Sequence, residues 1–218
     1  MGWIRSFYRS TVGKKIVMAL TGLIGVGFVT GHMLGNLLVF SGPEAMNAYA
    51  EFLKSSQTFL WTVRLVLLAA VALHVHAAWS LTMLARAARP AGYDRQVTQI
   101  STFSARSLRV GGVILLLFLV FHLLHLTVGT VHPAFSPTDA YGNVMIGLSV
   151  PAVAAFYVLA MAALALHLHH GVWSLFQTLG WNHPHINPLR RRLAALLAIV
   201  IATGFATIPL AVAFGLVG

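Results

Sequence analysis

The chain has 218 residues, of which 58% are hydrophobic and only 8% charged, and its formal net charge is +10. A typical soluble domain carries about a quarter charged residues, so this composition excludes an ordinary soluble globular domain. The absence of cysteine excludes disulfides, thiolate-bound iron–sulphur clusters and covalently attached c-type haem.

Five apolar runs follow one another along the chain, at about residues 16–40, 60–85, 108–131, 150–176 and 193–216. Crossing a hydrocarbon core of about 30 Å takes roughly 20 apolar residues, and each run is long enough. The first run follows the basic stretch RSTVGKK and has no small-residue cleavage site after it, so we interpret it as a retained span rather than a signal peptide. The sequence predicts an all-α membrane protein with one domain, residues 1–218, in which the first four helices form a bundle.

The segments between the runs are short. Residues 41–57 show helical periodicity after a Gly-Pro break, which predicts a short helix at the membrane interface. Residues 131–143 are rich in turn-forming residues, and residues 180–192 contain two prolines and two histidines. No soluble domain of catalytic size remains outside the runs.

The basic residues are distributed unevenly across the membrane. Only Lys54 and Arg64 lie on one side, and the other twelve lie on the opposite side: Arg5, Arg9, Lys14, Lys15, Arg86, Arg89, Arg95, Arg106, Arg109, Arg190, Arg191 and Arg192. By the positive-inside rule, this places the N-terminus in the cytoplasm and the C-terminus outside. The positive charge is therefore a topology signal and not a sign of nucleic-acid binding, and it offers a docking surface for a cytoplasmic partner.

Histidine is the unusual component of these spans. Eight of the eleven histidines lie in or near the first four spans, and none lies in the fifth: His32, His74, His76, His122, His125, His167, His169 and His170. Ionisable side chains inside a membrane are costly and usually face the interior of a bundle. Eight of them indicate a site, whereas the remaining three are expected to be solvated loop residues: His132, His183 and His185.

Depth in the membrane sorts four of the histidines into two pairs. His32 and His122 lie about eight or nine residues from the outer ends of their spans, and His76 and His167 lie about nine residues from the inner ends. Each pair joins alternate spans, which can lie diagonally across a four-helix bundle. Imidazole is a common haem ligand and bundle cores commonly hold cofactors, so the pattern predicts two bis-histidine haems.

The helix faces leave alternatives open. His74 and His76 project in nearly opposite directions, because two residues turn a helix by about 200°. Ser80 shares the face of His76 and Ser174 shares that of His167, further inward, where both could meet haem propionates. We expect packing roles, or contacts with ligands, for His74, His125, His169 and His170, but the choices between His74 and His76 and among His167, His169 and His170 stay open.

Several short motifs in this order carry a family resemblance. They are RSTVGKK, GHMLGNLLVF, GPEAMNAYAEFL, HAAWSL, FHLLHLT and HLHHGVWSLFQTLGWN, and together they extend over almost the whole chain. The chain resembles the cytochrome b membrane anchor of succinate dehydrogenase/fumarate reductase, of the single-subunit, five-helix, two-haem type. The resemblance carries the family's haem ligands onto His32, His76, His122 and His167.

The resemblance implies an electron-transfer subunit that is not an enzyme on its own. A cytoplasmic flavoprotein with FAD would oxidise succinate, an iron–sulphur subunit would pass the electrons on, and this chain with two haem b groups would deliver them to quinone, usually menaquinone. The implied location is the cell membrane of a prokaryote.

The quinone site and the class of complex remain open. Glu44 and Glu51 lie on the outer side near the His32–His122 pair, and His125 lies one turn beyond His122, so these three are candidates for quinone binding and proton exchange. For the two acids, the alternative is a solvated position on an interfacial helix, and an inner quinone site stays open. Two other functions also stay open: the di-haem cytochrome b of a hydrogenase or formate dehydrogenase, and a histidine-lined proton or metal transporter.

Overall fold

Long helices dominate the computed structural model, which describes residues 2–88 and 103–217 and contains no strand within them. Five helices are long and apolar enough to cross a membrane: α2 (Thr11–Asn36), α4 (Gln57–Ala87), α5 (Phe103–Leu123), α7 (Pro151–Thr178) and α8 (Asn187–Ala213). Three are shorter: α1 (Gly2–Arg9), α3 (Pro43–Ser55) and α6 (Ala140–Leu148). The predicted all-α fold with five membrane-spanning helices is confirmed.

Two of the long helices continue in a different winding. A 3-10 turn, Leu37–Ser41, extends α2, and a π-helical turn, Leu124–Val128, extends α5. The predicted short helix in the first connecting segment is present as α3. The helices α1 and α6 were not predicted. Arg89, Arg95 and Ser101, in the segment between the second and third spans, lie outside the described residues.

Local sequence explains where the long helices begin and end. The Ser10 hydroxyl accepts a hydrogen bond from the Gly13 N–H at 2.9 Å, which caps the start of α2. Proline occupies the first turn of α3, α7 and α8, where its missing N–H has no cost. Gly129 follows the π-helical turn with φ +85°, a left-handed conformation that favours glycine and ends the span.

The four helices that carry the histidines form an open bundle. In space they follow the order α4, α2, α7, α5: α2 packs on α4 and α7, and α7 packs on α5, while α4 and α5 make no comparable contact within the described part of the chain. A groove of about 400 Å³ runs along this open edge, lined by α4 from Leu68 to Trp79 and by Leu116 of α5. The helices α4 and α7 are therefore diagonal to each other, as are α2 and α5.

The fifth long helix closes the opposite edge. α8 packs most extensively on α7 and also contacts α2. Met33 of α2, Leu168 of α7 and Ile201 of α8 are buried in one apolar cluster between them. In contrast, many large apolar side chains of α4 and α5 are exposed, including Leu65, Leu68 and Leu117 in the long apolar helices, as expected for lipid-facing surfaces.

The two ends of the bundle differ in structure. At one end, α3 packs on α6, and Asn47 of α3 donates to the Asp139 carboxylate at 3.0 Å while accepting the Tyr141 N–H at 3.0 Å. Hydrogen bonds from the Gly142 N–H and from Asn47 hold the pKa of the Asp139 carboxyl below its usual range. At the other end, α1 packs on α2, and Lys14 donates to two carbonyl groups of α1.

Candidate functional site

Two pairs of histidines meet across the diagonals of the bundle. The ring centres of His32 on α2 and His122 on α5 are 5.8 Å apart, with an interplanar angle of 82°. Those of His74 on α4 and His167 on α7 are 6.2 Å apart, at 53°. The structure therefore brings together a histidine from the first and third spans, and another from the second and fourth.

The His74–His167 pair lies toward the α1 end, and each ring rests beside a glycine of a neighbouring helix. A Cβ atom on Gly22 of α2 would lie 3.6 Å from the His74 ring, and one on Gly112 of α5 would lie 3.9 Å from the His167 ring. Glycine therefore leaves a narrow space next to each imidazole. Larger side chains there would compete for the volume beside the pair.

The Thr21 hydroxyl of α2 is the hydrogen-bond partner of the His74 ring. The Thr21 hydroxyl lies 3.1 Å from Nδ1 of His74, and its own proton goes to the Val17 carbonyl at 2.7 Å. With its proton on that carbonyl, the Thr21 hydroxyl accepts from Nδ1–H of His74, and Nε2 then carries the free lone pair. A histidine that binds a metal commonly donates its other N–H to such a partner.

His76, favoured by the sequence, occupies a different environment. Its ring is exposed at the edge of the α4–α5 groove, stacks on Tyr8 of α1, and has its Nδ1 2.5 Å from the Tyr8 hydroxyl. The structure thus places His74, and not His76, beside His167. Ser80 and Ser174, on the faces of His76 and His167, are partly buried.

The His32–His122 pair lies toward the α3–α6 end and is packed among aromatic rings. His32 stacks on Phe28 at 5.3 Å between ring centres and also contacts Phe205 of α8 at 5.8 Å. The Nδ1 atom of His122 is 3.2 Å from the Tyr157 hydroxyl of α7. The same hydroxyl lies 2.9 Å from Nδ1 of His125, whose side chain is fully buried.

The two pairs lie about half a membrane thickness apart. Three helices give the same separation, because ten residues separate Gly22 from His32, Gly112 from His122, and Tyr157 from His167. Ten residues of α-helix span about 15 Å, compared with about 30 Å for the hydrocarbon core. The pairs are therefore two separate sites stacked along the bundle axis.

The donor set indicates what each pair could bind. A metal ion held by protein alone needs three or four ligands, and no group of three or more His, Cys, Asp or Glu residues suited to a metal occurs among the described residues. Each pair offers two imidazoles, the set that haem iron takes as axial ligands. Nδ1 of His167 is also buried without a hydrogen-bond partner, so its ring retains an unfilled bonding position.

The spacing of the rings agrees with this assignment. Two imidazoles bound on opposite sides of one metal, each through a bond of about 2 Å, have ring centres about 6 Å apart. The observed separations are 5.8 and 6.2 Å. The two imidazoles of each pair are therefore close enough together to reach one metal atom between them.

The other candidate residues fall around these pairs. Glu44 and Glu51 are exposed on α3, at the same end of the bundle as the His32–His122 pair. Nδ1 of His169 lies 3.0 Å from the Ser104 hydroxyl of α5. Sequence reasoning missed Thr21 and Tyr157, and only their position, ten or eleven residues from a histidine on the same helix, could have indicated them.

Comparisons with known proteins found one relative, a cytochrome b subunit. No protein-family model matches the chain, and no solved structure matches it. The succinate dehydrogenase cytochrome b558 subunit of Bacillus subtilis (strain 168) is 26% identical over 200 residues, which cover 91% of this chain and 94% of that protein. This chain, with its five membrane-spanning helices and two diagonal histidine pairs, is therefore similar over nearly its whole length to a succinate dehydrogenase cytochrome b subunit.

Proposed function

We propose that this chain is the di-haem membrane anchor of a succinate:quinone oxidoreductase, and that it passes electrons from an iron–sulphur subunit to membrane quinone. The observation that carries the proposal is the presence of two diagonal histidine pairs about 15 Å apart along the bundle. With a haem at each pair, the path of an electron across the membrane would be divided into shorter steps. Haem b, when bound, supplies a one-electron carrier at each step.

The ligands follow from the pairs. His32 and His122 hold one haem, and His74 and His167 hold the other. His74 is preferred to His76 for two reasons. It lies beside His167, and its Nδ1 is bonded to Thr21, so Nε2 is the nitrogen left free to bind iron. Each pair would supply the two imidazole ligands that a haem iron takes from protein.

Charge orients the chain in the membrane. The α1 end carries most of the basic residues and faces the cytoplasm under the positive-inside rule, so the N-terminus is cytoplasmic and the C-terminus is outside. The FAD-containing flavoprotein and the iron–sulphur subunit dock at this end. Because the chain has no cysteine, iron–sulphur clusters with thiolate ligands must be supplied by a partner.

Electrons leave the chain at the α3–α6 end. Quinone, with menaquinone as the expected type, binds near the His32–His122 pair, where the exposed carboxylates of Glu44 and Glu51 can exchange protons with water. Nε2 of the fully buried His125 has no hydrogen-bond partner and adds a polar group in this region. These groups support quinone reduction at this end, since the reaction takes up protons as well as electrons.

Haem stoichiometry tests the proposal. A pyridine haemochrome assay on the purified complex, with protein quantitation, should give two non-covalent haems per chain. A ratio near zero would exclude a cytochrome, and a histidine-lined transporter would then be the better interpretation. A ratio near one would remove one pair. Co-purification of a flavoprotein supports succinate oxidation, whereas a metal-centred dehydrogenase would indicate a hydrogenase or formate dehydrogenase complex.

A further inference from the structure

Tyr157 is the side chain that links the His32–His122 pair to the rest of the bundle. It is buried, with 7% of its surface exposed, and its hydroxyl lies between Nδ1 of His122 at 3.2 Å and Nδ1 of His125 at 2.9 Å. The rings of Phe118 and Phe121 pack on it edge-to-face, with centres 4.9 and 6.3 Å away. The hydroxyl is therefore held in place by packing as well as by hydrogen bonds.

The order of protons in this network follows from coordination chemistry. Because Tyr157 bonds to Nδ1 of His122, Nε2 is the nitrogen that is left for iron. A neutral imidazole that binds metal through Nε2 carries its proton on Nδ1. His122 therefore donates to the Tyr157 oxygen, and the Tyr157 hydroxyl proton goes to Nδ1 of His125.

The two hydrogen bonds reinforce each other. A hydroxyl that donates a hydrogen bond becomes a stronger acceptor, because bonds in a chain polarise one another. His125 thereby strengthens the bond that Tyr157 accepts from His122. The His74–His167 pair has a simpler arrangement, in which the Thr21 hydroxyl accepts from His74 and donates only to backbone carbonyls.

We propose that Tyr157 is a positioning residue that orients the His122 ring and lowers the reduction potential of the haem held by His32 and His122. This inference rests on the proposed function. A hydrogen bond donated by the distal N–H of a ligating histidine makes its metal-bound nitrogen more basic. A more basic ligand stabilises ferric over ferrous iron, so losing the bond raises the potential.

The expected size follows from ordinary hydrogen-bond energies. One such bond changes an equilibrium by roughly two- to tenfold, which corresponds to about 20 to 60 mV for a one-electron couple. The change should be confined to one haem, because the other pair lies about 15 Å away along the bundle. Its direction and its confinement to one haem together distinguish tuning by Tyr157 from a general loosening of the fold.

Tyr157→Phe tests the proposal in the intact complex, because it removes the hydroxyl and retains the ring. A redox titration followed by visible absorbance and by electron paramagnetic resonance should show an upward shift for the His32–His122 haem and an altered low-spin signal. Thr21→Val is the matched control and should change the reduction potential of the His74–His167 haem only. His125→Leu should raise the reduction potential of the His32–His122 haem, as Tyr157→Phe does, but by a smaller amount.

The outcomes separate this inference from the proposed function. Two haems with unchanged potentials in Tyr157→Phe would overturn the role of Tyr157 while leaving the di-haem anchor intact. A changed reduction potential of the His74–His167 haem, or a lowered potential of the His32–His122 haem, would also overturn it. If Tyr157→Phe does not assemble, His125→Leu decides: an upward shift of the same haem supports the network, and an unchanged potential refutes it.

Discussion

Replacing His74 by alanine should remove one haem, whereas replacing His76, two residues away, should leave both. The reason is orientation: His74 faces His167 with 6.2 Å between ring centres, and His76 faces Tyr8 at the edge of the bundle. The expected ratio of haem to protein is therefore about one for His74→Ala and about two for His76→Ala. His167→Ala should behave as His74→Ala does.

The remaining haem provides an internal control for folding. His74→Ala removes the hydrogen bond with Thr21, at a cost of about 1 kcal/mol. The packing of α2 on α7 and of α7 on α8 does not involve His74, so the bundle should persist. The His32–His122 pair, about 15 Å away, should retain its haem and its low-spin signal.

Pyridine haemochrome assays on the single variants measure the ratio of haem to protein, and electron paramagnetic resonance shows which low-spin signals remain. One low-spin signal should disappear or change in His74→Ala, and both should remain in His76→Ala. The opposite result, with the haem lost only in His76→Ala, would show that His76 is the ligand and that the geometric reasoning is wrong. Loss of both signals in His74→Ala would show that the two sites are not independent.

Three further predictions concern packing, pH and topology. Gly147→Ala would place a Cβ atom 2.7 Å from a buried histidine ring and should lower stability by about 1–3 kcal/mol in thermal unfolding, whereas Gly27→Ala meets open space and should not destabilise the fold. The pKa of the Asp139 carboxyl is lowered in the fold, so its stabilising contribution is present above the unfolded pKa of about 3.9. That contribution is lost as the pH falls through the folded pKa. The thermal unfolding midpoint should therefore drop more steeply below about pH 4 in the wild type than in Asp139→Asn. Ser55→Cys should react with an impermeant thiol reagent outside intact cells and Ser101→Cys should not, and labelling of the latter from outside would reverse the orientation.

The sequence alone determined the fold class and the pairing of the spans. Apolar runs of sufficient length can only be membrane helices, because lipid offers no partner for unpaired backbone groups. Counting residues from the span ends gives depth at 1.5 Å per residue. Depth was enough to pair the first span with the third and the second with the fourth, and the structure places His32 beside His122 accordingly.

Only the tertiary structure distinguished His74 from His76. Depth separates these two residues by about 3 Å, but direction separates them by about 200°. The helix α4 is apolar on nearly all sides, because one side meets lipid and the other meets protein, so hydrophobic periodicity does not identify its inner face. The packing of α4 on α2, with Thr21 beside His74, decides the direction.

Tyr157 was likewise invisible in the sequence for a physical reason. An aromatic residue in an apolar span is ordinary, and its role depends on which polar group of another helix its hydroxyl meets. That meeting requires α5 and α7 to pack so that His122, His125 and Tyr157 reach the same depth. Composition and length determine that the chain crosses the membrane, whereas the rotation of each helix about its axis determines which side chains meet, and rotation is set by packing between helices that are distant in sequence.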